Sequence, residues 1–255
     1  MSPDISEFSY GFALTCELIA IANPPLRAAP ILPSLIAEGR KGGGYDVNLD
    51  IPGFPLFIQF KRSEHMKTRN AKESKPPAGF DLPYYRMKIT ERWRSAQHDM
   101  LLELEGGGNE VFYASPLFHT VEELNAAYLG GTVSSQSRYV RPSEIGKLDD
   151  ESHCVAFNAK RIFVCSEPRE IHGVEGANFS HLLDERLRRD DRRIRDQPLD
   201  EMLTFVERII ERRHIRPAFR SRPEDGGLDH RLQQLADIAV QCFGAQLFVV
   251  QRGVD

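Results

Sequence analysis

The sequence predicts an α/β protein, and three observations support this class. Apolar residues recur at roughly helical spacing over residues 8–22. Two segments with alternating apolar and polar residues, 45–51 and 84–89, flank an apolar run at residues 55–61. A second helical stretch at 93–105 precedes a short strand at 111–115. The predicted order over residues 8–115 is therefore helix, strand, strand, strand, helix, strand.

Length and composition are those of a globular protein with a sizeable core. The chain has 255 residues, of which 41% are hydrophobic and 27% charged. The apolar stretch near the N-terminus is interrupted by Glu17 and is not preceded by basic residues. We therefore expect neither a signal peptide nor a membrane span, but a cytoplasmic protein. The four cysteines form no CxxC pair and are expected to be reduced thiols.

The first helix is expected to end at Pro24, and a short helical turn at 34–39 to follow. Residues 42–44 are all glycine, and the strand at 45–51 comes after them. Pro52 and Gly53 turn the chain into the strand at 55–61, so the two strands form a hairpin. Residues 62–83 are polar and rich in lysine, which predicts a long loop before the third strand.

Beyond the third strand, the helix at 93–105 presents Met100, Leu101 and Leu104 on one face. A helix is predicted at 121–129, and one or two strands at 154–165. The last third contains helical segments at 180–194, 199–213 and 228–242, then a closing strand at 245–251. We divide the chain into a domain at 1–175 and a mostly helical region at 176–255, which serves dimerisation or partner docking.

A small set of polar residues carries the predicted chemistry. Gln59 and Lys61 are two positions apart on one strand, so they point to the same face, and Asp46 approaches that face from the hairpin. Burying these groups unpaired is unfavourable, whereas a divalent cation accepts Asp46, the Gln59 oxygen and the Phe60 carbonyl as ligands. Lys61 would then orient the attacking water or stabilise charge on the phosphorane.

These residues resemble a known family. The motif GYDV at 44–47, with Asp46 thirteen positions before Gln59, and the motif QFK at 59–61 resemble the PD-(D/E)XK nuclease superfamily. The similarity is greatest to its QxK branch, which includes Mrr-like restriction endonucleases and several bacterial antiphage effectors. The resemblance covers residues 8–115. It implies a restriction-endonuclease-like mixed sheet flanked by helices, with a helical C-terminal extension, and cleavage of DNA that depends on Mg²⁺ or Mn²⁺.

The chain departs from the family pattern at two positions. Tyr45 stands where the family has proline, and Gln59 replaces the second carboxylate, which leaves one fewer negative charge for the metal. Family members often add a glutamate from the first helix, and here both Glu38 and Glu17 are candidates. Glu38 is favoured for its short reach to Asp46. On the second helix, Gln97 and His98 are also expected to face the site.

Local charge favours nucleic acid although the whole chain has a net charge of −4. Residues 61–94 hold ten basic and four acidic side chains, so a basic loop adjoins the predicted site. The predicted contacts to the DNA backbone are Lys67, Arg69, Lys72 and Lys75. The alternative is a solvated loop. Residues 186–195 alternate arginine with acidic side chains at i, i+4 spacing, which predicts a self-neutralised exposed helix.

The residues and the resemblance together predict a Mg²⁺-dependent deoxyribonuclease. The resemblance implies a role in bacterial restriction or antiphage defence, and we expect the protein to act on DNA as a homodimer or with a companion defence protein. The alternative is a catalytically inactive nuclease-fold subunit that binds nucleic acid or a partner protein. His98, His119 and His153 lack the spacing of metal ligands, and ordinary hydrogen-bonded histidines are expected. The glycine run lacks the Lys-Ser/Thr of a phosphate-binding loop.

Overall fold

A computed structural model describes residues 2–21, 53–68, 74–75, 78–90, 95–189, 192, 197–215 and 227–251. Its helices are α1 (Glu7–Ile21), α2 (Gln97–Gly106), α3 (Val121–Leu129), α4 (Pro142–Ile145), α5 (Gly176–Arg189), α6 (Leu199–Arg212) and α7 (Leu228–Ile238), which continues into a π-helical turn (Ala239–Phe243). Its strands are β1 (Gly53–Phe60), β2 (Glu64–Met66), β3 (Tyr84–Ile89), β4 (Glu110–Pro116), β5 (Ser137–Val140), β6 (His153–Phe157), β7 (Ile162–Val164), β8 (Arg169–Ile171), β9 (Val174–Glu175) and β10 (Gln246–Gln251).

The described strands form two sheets, which confirms the predicted α/β class. The first sheet has the order β10-β1-β4-β5-β9 and is mixed, because β1 runs parallel to β4 while its other pairs are antiparallel. The second sheet, β2-β3-β6-β7-β8, is antiparallel throughout. The parallel pair needs a crossover, and the chain between β1 and β4 supplies it with β2, β3 and α2.

Two details of the predicted core need correction. The strand at 84–89 forms as expected, but it pairs with β2 and β6 in a second sheet, whereas the family resemblance implied a single mixed sheet. The predicted loop at 62–83 contains β2, a strand of three residues. Alternating polarity specifies a strand but not its neighbour, because pairing depends on residues distant in sequence. The strand predicted at 45–51 lies outside the described residues.

Strand β1 lies inside the molecule because both faces of its sheet are covered. On one face, Leu56 and Ile58 pack with side chains of α1 and α5. On the other face, Phe57 packs with side chains of α2, α6 and α7 and with inward residues of the second sheet. A strand buried on both faces reads as a nearly continuous apolar run, as residues 53–60 do.

The helices follow their sequence signals closely. Helix α3 occupies the predicted residues and begins at Thr120, whose hydroxyl accepts from the backbone N–H of Glu123 while the Glu123 carboxylate accepts from that of Thr120. In α2 the predicted apolar face is buried. Helix α6 buries Leu203, Val206 and Ile210 at helical spacing against the main core.

The C-terminal part of the chain contributes a strand to the first sheet. Strand β10 forms where the closing strand was predicted and pairs antiparallel with β1, with Phe54 opposite Val250 and Ile58 opposite Gln246. Helices α6 and α7 share the core cluster of α2. The division at residue 175 remains a prediction. In the described part of the chain, each helix is too short or too polar to cross a bilayer.

Candidate functional site

The candidate site lies at the C-terminal end of β1, next to β4. Gln59 and Lys61 are 4% and 7% exposed, respectively. The parallel register places Gln59 beside Tyr113, and the backbone N–H of Lys61 donates to the carbonyl oxygen of Ala114 at 2.8 Å. Because side chains alternate along a strand, the two polar side chains share the face of Phe57, which is the face covered by α2.

The amine of Lys61 is buried beside an aromatic ring. Its Nζ atom lies 5.9 Å from the centroid of the Tyr113 ring. Burial lowers the pKa of Lys61, and the negative charge of Glu7 partly opposes that shift. Within the described part of the chain, the Lys61 amine makes no salt bridge. A buried ammonium in this position favours an anionic ligand.

The amide of Gln59 has an unsatisfied oxygen. Oε1 is buried and has no hydrogen-bond partner among the described residues. Nearby, Gln97 Nε2 donates to the carbonyl oxygen of Phe243 at 2.9 Å. Gly244 follows with φ +62°, and a Cβ atom there would collide with the Gln97 amide and lie 3.4 Å from Gln59 Nε2. The turn before β10 therefore closes directly against both glutamines.

His98 and Tyr113 form a buried hydrogen-bonded pair beside Lys61. His98 Nε2 lies 2.7 Å from the carbonyl oxygen of Gly146, and Nδ1 lies 2.9 Å from the Tyr113 hydroxyl. Since a carbonyl only accepts, Nε2 carries the proton, and in the neutral ring Nδ1 accepts from the hydroxyl. Burial lowers the pKa of His98 and raises that of Tyr113, which favours the neutral form of each.

The structure brings together only part of the predicted set. Gln59, Lys61, Gln97 and His98 surround the end of β1 as described above. Several predicted residues lie outside the described residues: Asp46, Glu38, Arg69 and Lys72. The Phe60 side chain is half-buried on the opposite face, where its ring lies 5.9 Å from that of Tyr10.

Glu17, the second glutamate considered as a ligand, has structural partners. Its Oε2 atom accepts from the backbone N–H of Val133 at 2.6 Å, and Oε1 accepts from that of Ser134 at 3.1 Å. The carboxylate thereby ties α1 to the segment that leads into β5. Both oxygens are engaged by backbone donors, so Glu17 acts as an anchor between these elements.

The three histidines that lacked metal-ligand spacing are hydrogen-bonded, as expected. His98 is paired with Tyr113, and His153 Nε2 lies 3.2 Å from the carbonyl oxygen of Asp149. His119 Nε2 lies 3.3 Å from His65 Nδ1. These contacts join different pairs of elements, so each histidine has its own structural environment.

Sequence reasoning missed Tyr113, Ser115 and Gly244. Tyr113 and Ser115 are two positions apart on β4, so they share the face of Gln59 and Lys61. The Ser115 Oγ atom is buried and makes no hydrogen bond within the described residues. Polar atoms at alternate positions of a buried strand are the signal that would have indicated both residues. Gly244 gives no such signal, because its role depends on contacts with residues far away in the sequence.

A divalent cation fits the described residues in part. The unpartnered amide oxygen of Gln59 is a hard ligand of the kind that Mg²⁺ accepts. Among the residues that the structure describes, no group of three or more His, Cys, Asp or Glu side chains is arranged to hold a metal ion. Asp46 and Glu38, the carboxylates predicted as ligands, lie outside the described residues.

The basic segment at 61–94 is partly neutralised. Arg86 and Lys88 on β3 form ion pairs of 2.6 and 2.8 Å with Glu64 on β2. Lys67 and Lys75, two of the predicted DNA contacts, are exposed. Lys88 is exposed as well, with 62% of its side chain accessible, whereas Arg86 is partly buried in its ion pair.

The arginine-rich helix is paired with acidic side chains, as its spacing suggested. Arg189 lies 3.6 Å from Glu185 in the i, i+4 pair, and Arg186 lies 3.3 Å from Glu110 of β4. The second contact is a tertiary one that the local spacing did not predict.

Comparison with known proteins yields no relative: no family model, no curated protein and no solved structure matches this chain. What the fold and the site define is an α/β protein with a buried lysine and glutamine beside a histidine–tyrosine pair.

Proposed function

We propose that this protein is a metal-dependent endonuclease that hydrolyses DNA phosphodiester bonds in bacterial restriction or antiphage defence. One observation carries the proposal: Gln59 and Lys61 are both almost fully buried on one face of the central strand β1. Burial of an amine and of an amide oxygen without a partner is unfavourable, so a site that retains them favours a ligand that satisfies both.

A phosphodiester is such a ligand for Lys61. Its negative charge would compensate the ammonium, and the low exposure of Lys61 would strengthen the contact. The Tyr113 ring lies 5.9 Å from the amine, and His98 is hydrogen-bonded to the Tyr113 hydroxyl. This pair supports the proposed role of Lys61 in charge stabilisation at the scissile phosphate, because it gives the amine an ordered aromatic neighbour.

Gln59, Asp46 and Glu38 are the proposed ligands of Mg²⁺ or Mn²⁺, together with the Phe60 carbonyl. When bound, such a cation lowers the pKa of a coordinated water and offsets negative charge on phosphate oxygens. The unpartnered Gln59 oxygen supports this assignment from the described residues. The assignment of Asp46 and Glu38 as metal ligands relies on the family resemblance.

The proposed DNA contacts lie on the segment that follows β1. Lys67 and Lys75 are exposed, and Arg69 and Lys72 belong to the same stretch of sequence. Contacts of this kind bind the backbone without reading the sequence. They weaken as the salt concentration rises, because the counterions that binding releases from DNA then gain less free energy.

Nicking of supercoiled plasmid by the purified full chain tests the proposal. Cleavage is expected in Mg²⁺ or Mn²⁺ and not in EDTA. Lys61→Met should lower the nicking rate about 100-fold or more, because a charge-stabilising group is lost. Lys160→Met, a change at an exposed lysine, is the matched control and should leave the rate unchanged. Equal rates for both variants would contradict the proposal.

A second candidate is a catalytically inactive subunit that keeps this site for binding DNA or a partner protein. Gln59 favours it, because an amide stands where many nucleases with a similar motif have a carboxylate. Calorimetry separates the two: DNA binding without Mg²⁺ or Mn²⁺ binding supports the inactive subunit. Saturable binding of either metal, lost in Gln59→Leu, supports the enzyme.

A further inference from the structure

Exposed apolar side chains are concentrated on two neighbouring helices. Among the described residues, the large hydrophobic side chains that face solvent are Phe8 and Phe12 on α1 and Val121, Tyr128 and Leu129 on α3. Phe8 is 67% and Leu129 75% exposed. Helices α1 and α3 contact each other. We call the surface formed by these five side chains the α1–α3 face.

The α1–α3 face is separate from the core contacts of the same helices. Phe8 and Phe12 are one turn apart and therefore lie on one side of α1. Tyr10 and Leu14, on the other side, are buried in the core. An exposed apolar surface on a helix that already has a buried apolar side is typical of an interaction site.

The charged side chains of α1 and α3 have one sign. Helices α1 and α3 contain four glutamates and neither lysine nor arginine. Of these, Glu7 and Glu122 are exposed and adjoin Phe8 and Val121 in the sequence. Residues 95–137, which include all of α3, hold no lysine or arginine at all. The exposed charges carried by these two helices are therefore acidic, and we call them the rim of the face.

We propose that the α1–α3 face is a docking surface for a protein segment that is amphipathic and basic. Its apolar side chains would cover Phe8, Phe12 and Leu129, and its lysines or arginines would pair with Glu7 and Glu122. Charge complementarity selects this occupant. A second copy of the same face would set acidic rim against acidic rim, and DNA or anionic lipid would be repelled.

Two synthetic 14-residue helical peptides test the charge requirement. One is built from leucine and lysine, the other from leucine and glutamate in the same pattern, and both carry a fluorescent label. Anisotropy titration with the full chain is expected to show binding of the lysine peptide, weakened severalfold between about 50 and 300 mM salt. Binding of neither peptide, or equal binding of both, overturns the proposal.

Surface variants locate the contact. Phe8→Ser combined with Phe12→Ser, at positions exposed in the folded chain, should weaken the lysine peptide at least about tenfold. Glu122→Lys should weaken it severalfold, while Glu151→Lys, the same change on an exposed residue elsewhere, should not. Equal effects of the two charge reversals overturn the proposal. A dimer in sedimentation that dissociates in the serine variant also overturns it and assigns the face to a second copy.

Discussion

The Nζ atom of Lys61 lies 5.9 Å from the centroid of the Tyr113 ring, whose hydroxyl is bonded to His98. This contact connects β1 through β4 to α2 and gives a buried ammonium an aromatic neighbour, which offsets part of its desolvation. Desolvation still dominates, because burial lowers the pKa of Lys61. The amine is therefore retained at a cost in stability, as is common for functional groups.

Replacing the buried amine should stabilise the fold. Lys61→Met keeps an unbranched side chain of similar length and removes the charge, so the free energy of unfolding should rise by about 1 kcal/mol. Lys160→Met, at an exposed position, should change it by less than about 0.5 kcal/mol. Urea unfolding monitored by circular dichroism measures both. Destabilisation by Lys61→Met would show that the amine is satisfied in the folded protein.

The carboxylate of Glu17 should matter for stability and not for cleavage. Glu17→Gln weakens two hydrogen bonds from the backbone of Val133 and Ser134, so the free energy of unfolding should fall by about 1–2 kcal/mol. The nicking rate per folded molecule should not change. The opposite pattern, lost cleavage at unchanged stability, would make Glu17 a catalytic ligand. Glu151→Gln, on an exposed residue, is the control for both measurements.

Local sequence patterns predicted most of the elements and little of their arrangement. Five elements lie within about two residues of their predicted bounds: α3, α6, β1, β4 and β10. Hydrophobic periodicity and the residues that end helices and strands are local signals, so they can be read from the sequence. Strand β2 was missed because three residues in a polar segment carry no periodicity. The assignment of β3 to the second sheet depends on its pairing with β6, more than sixty residues later.

The same limit applies to the candidate site. The shared orientation of Gln59 and Lys61 followed from strand alternation alone, and the position of Gln97 and His98 on the next helix suggested their approach. Tyr113 joins the site through the register of β1 with β4, and Gly244 joins it through the turn before β10. Local sequence patterns do not predict such long-range contacts.

Gly244 offers a test of how tightly the turn before β10 closes on the site. Gly131→Ala meets open space at φ +61°, so it should cost only the backbone strain, about 1 kcal/mol. Gly244→Ala has the same backbone geometry, at φ +62°, and also displaces the Gln97 amide. Displacing that amide breaks its hydrogen bond to Phe243, so the loss of unfolding free energy should exceed that of Gly131→Ala by about 1 kcal/mol. Equal losses in urea titrations would contradict the contact.

The lowered pKa of His98 predicts a dependence of stability on pH. Burial is the main cause of this shift. In the unfolded chain the histidine pKa is near its ordinary value of about 6.5, so below that pH the unfolded chain takes up a proton while the ring stays neutral in the folded protein. His98 therefore costs nothing above that pH and lowers stability as pH falls below it. His98→Asn should flatten the fall in unfolding free energy between about pH 6.5 and 5.

His65 is a second buried histidine with which the pH dependence of the His98 variant can be compared. Burial and the neighbouring His119 also lower the pKa of His65, so His65→Asn should flatten the same part of the profile independently. If His98→Asn leaves the slope as in the wild type, His98 takes up its proton equally in the folded and unfolded chains, contrary to its buried pairing with Gly146 and Tyr113.

The most direct test of the candidate site compares two replacements of Gln59 in a Mg²⁺-dependent plasmid-nicking assay. Gln59→Leu has nearly the same size but offers no oxygen, whereas Gln59→Glu supplies the carboxylate that the resembled nucleases place there. Leucine should reduce the nicking rate more than about tenfold, and glutamate should retain cleavage. A leucine variant that nicks as fast as the wild type would contradict a role for Gln59 at a metal-dependent site.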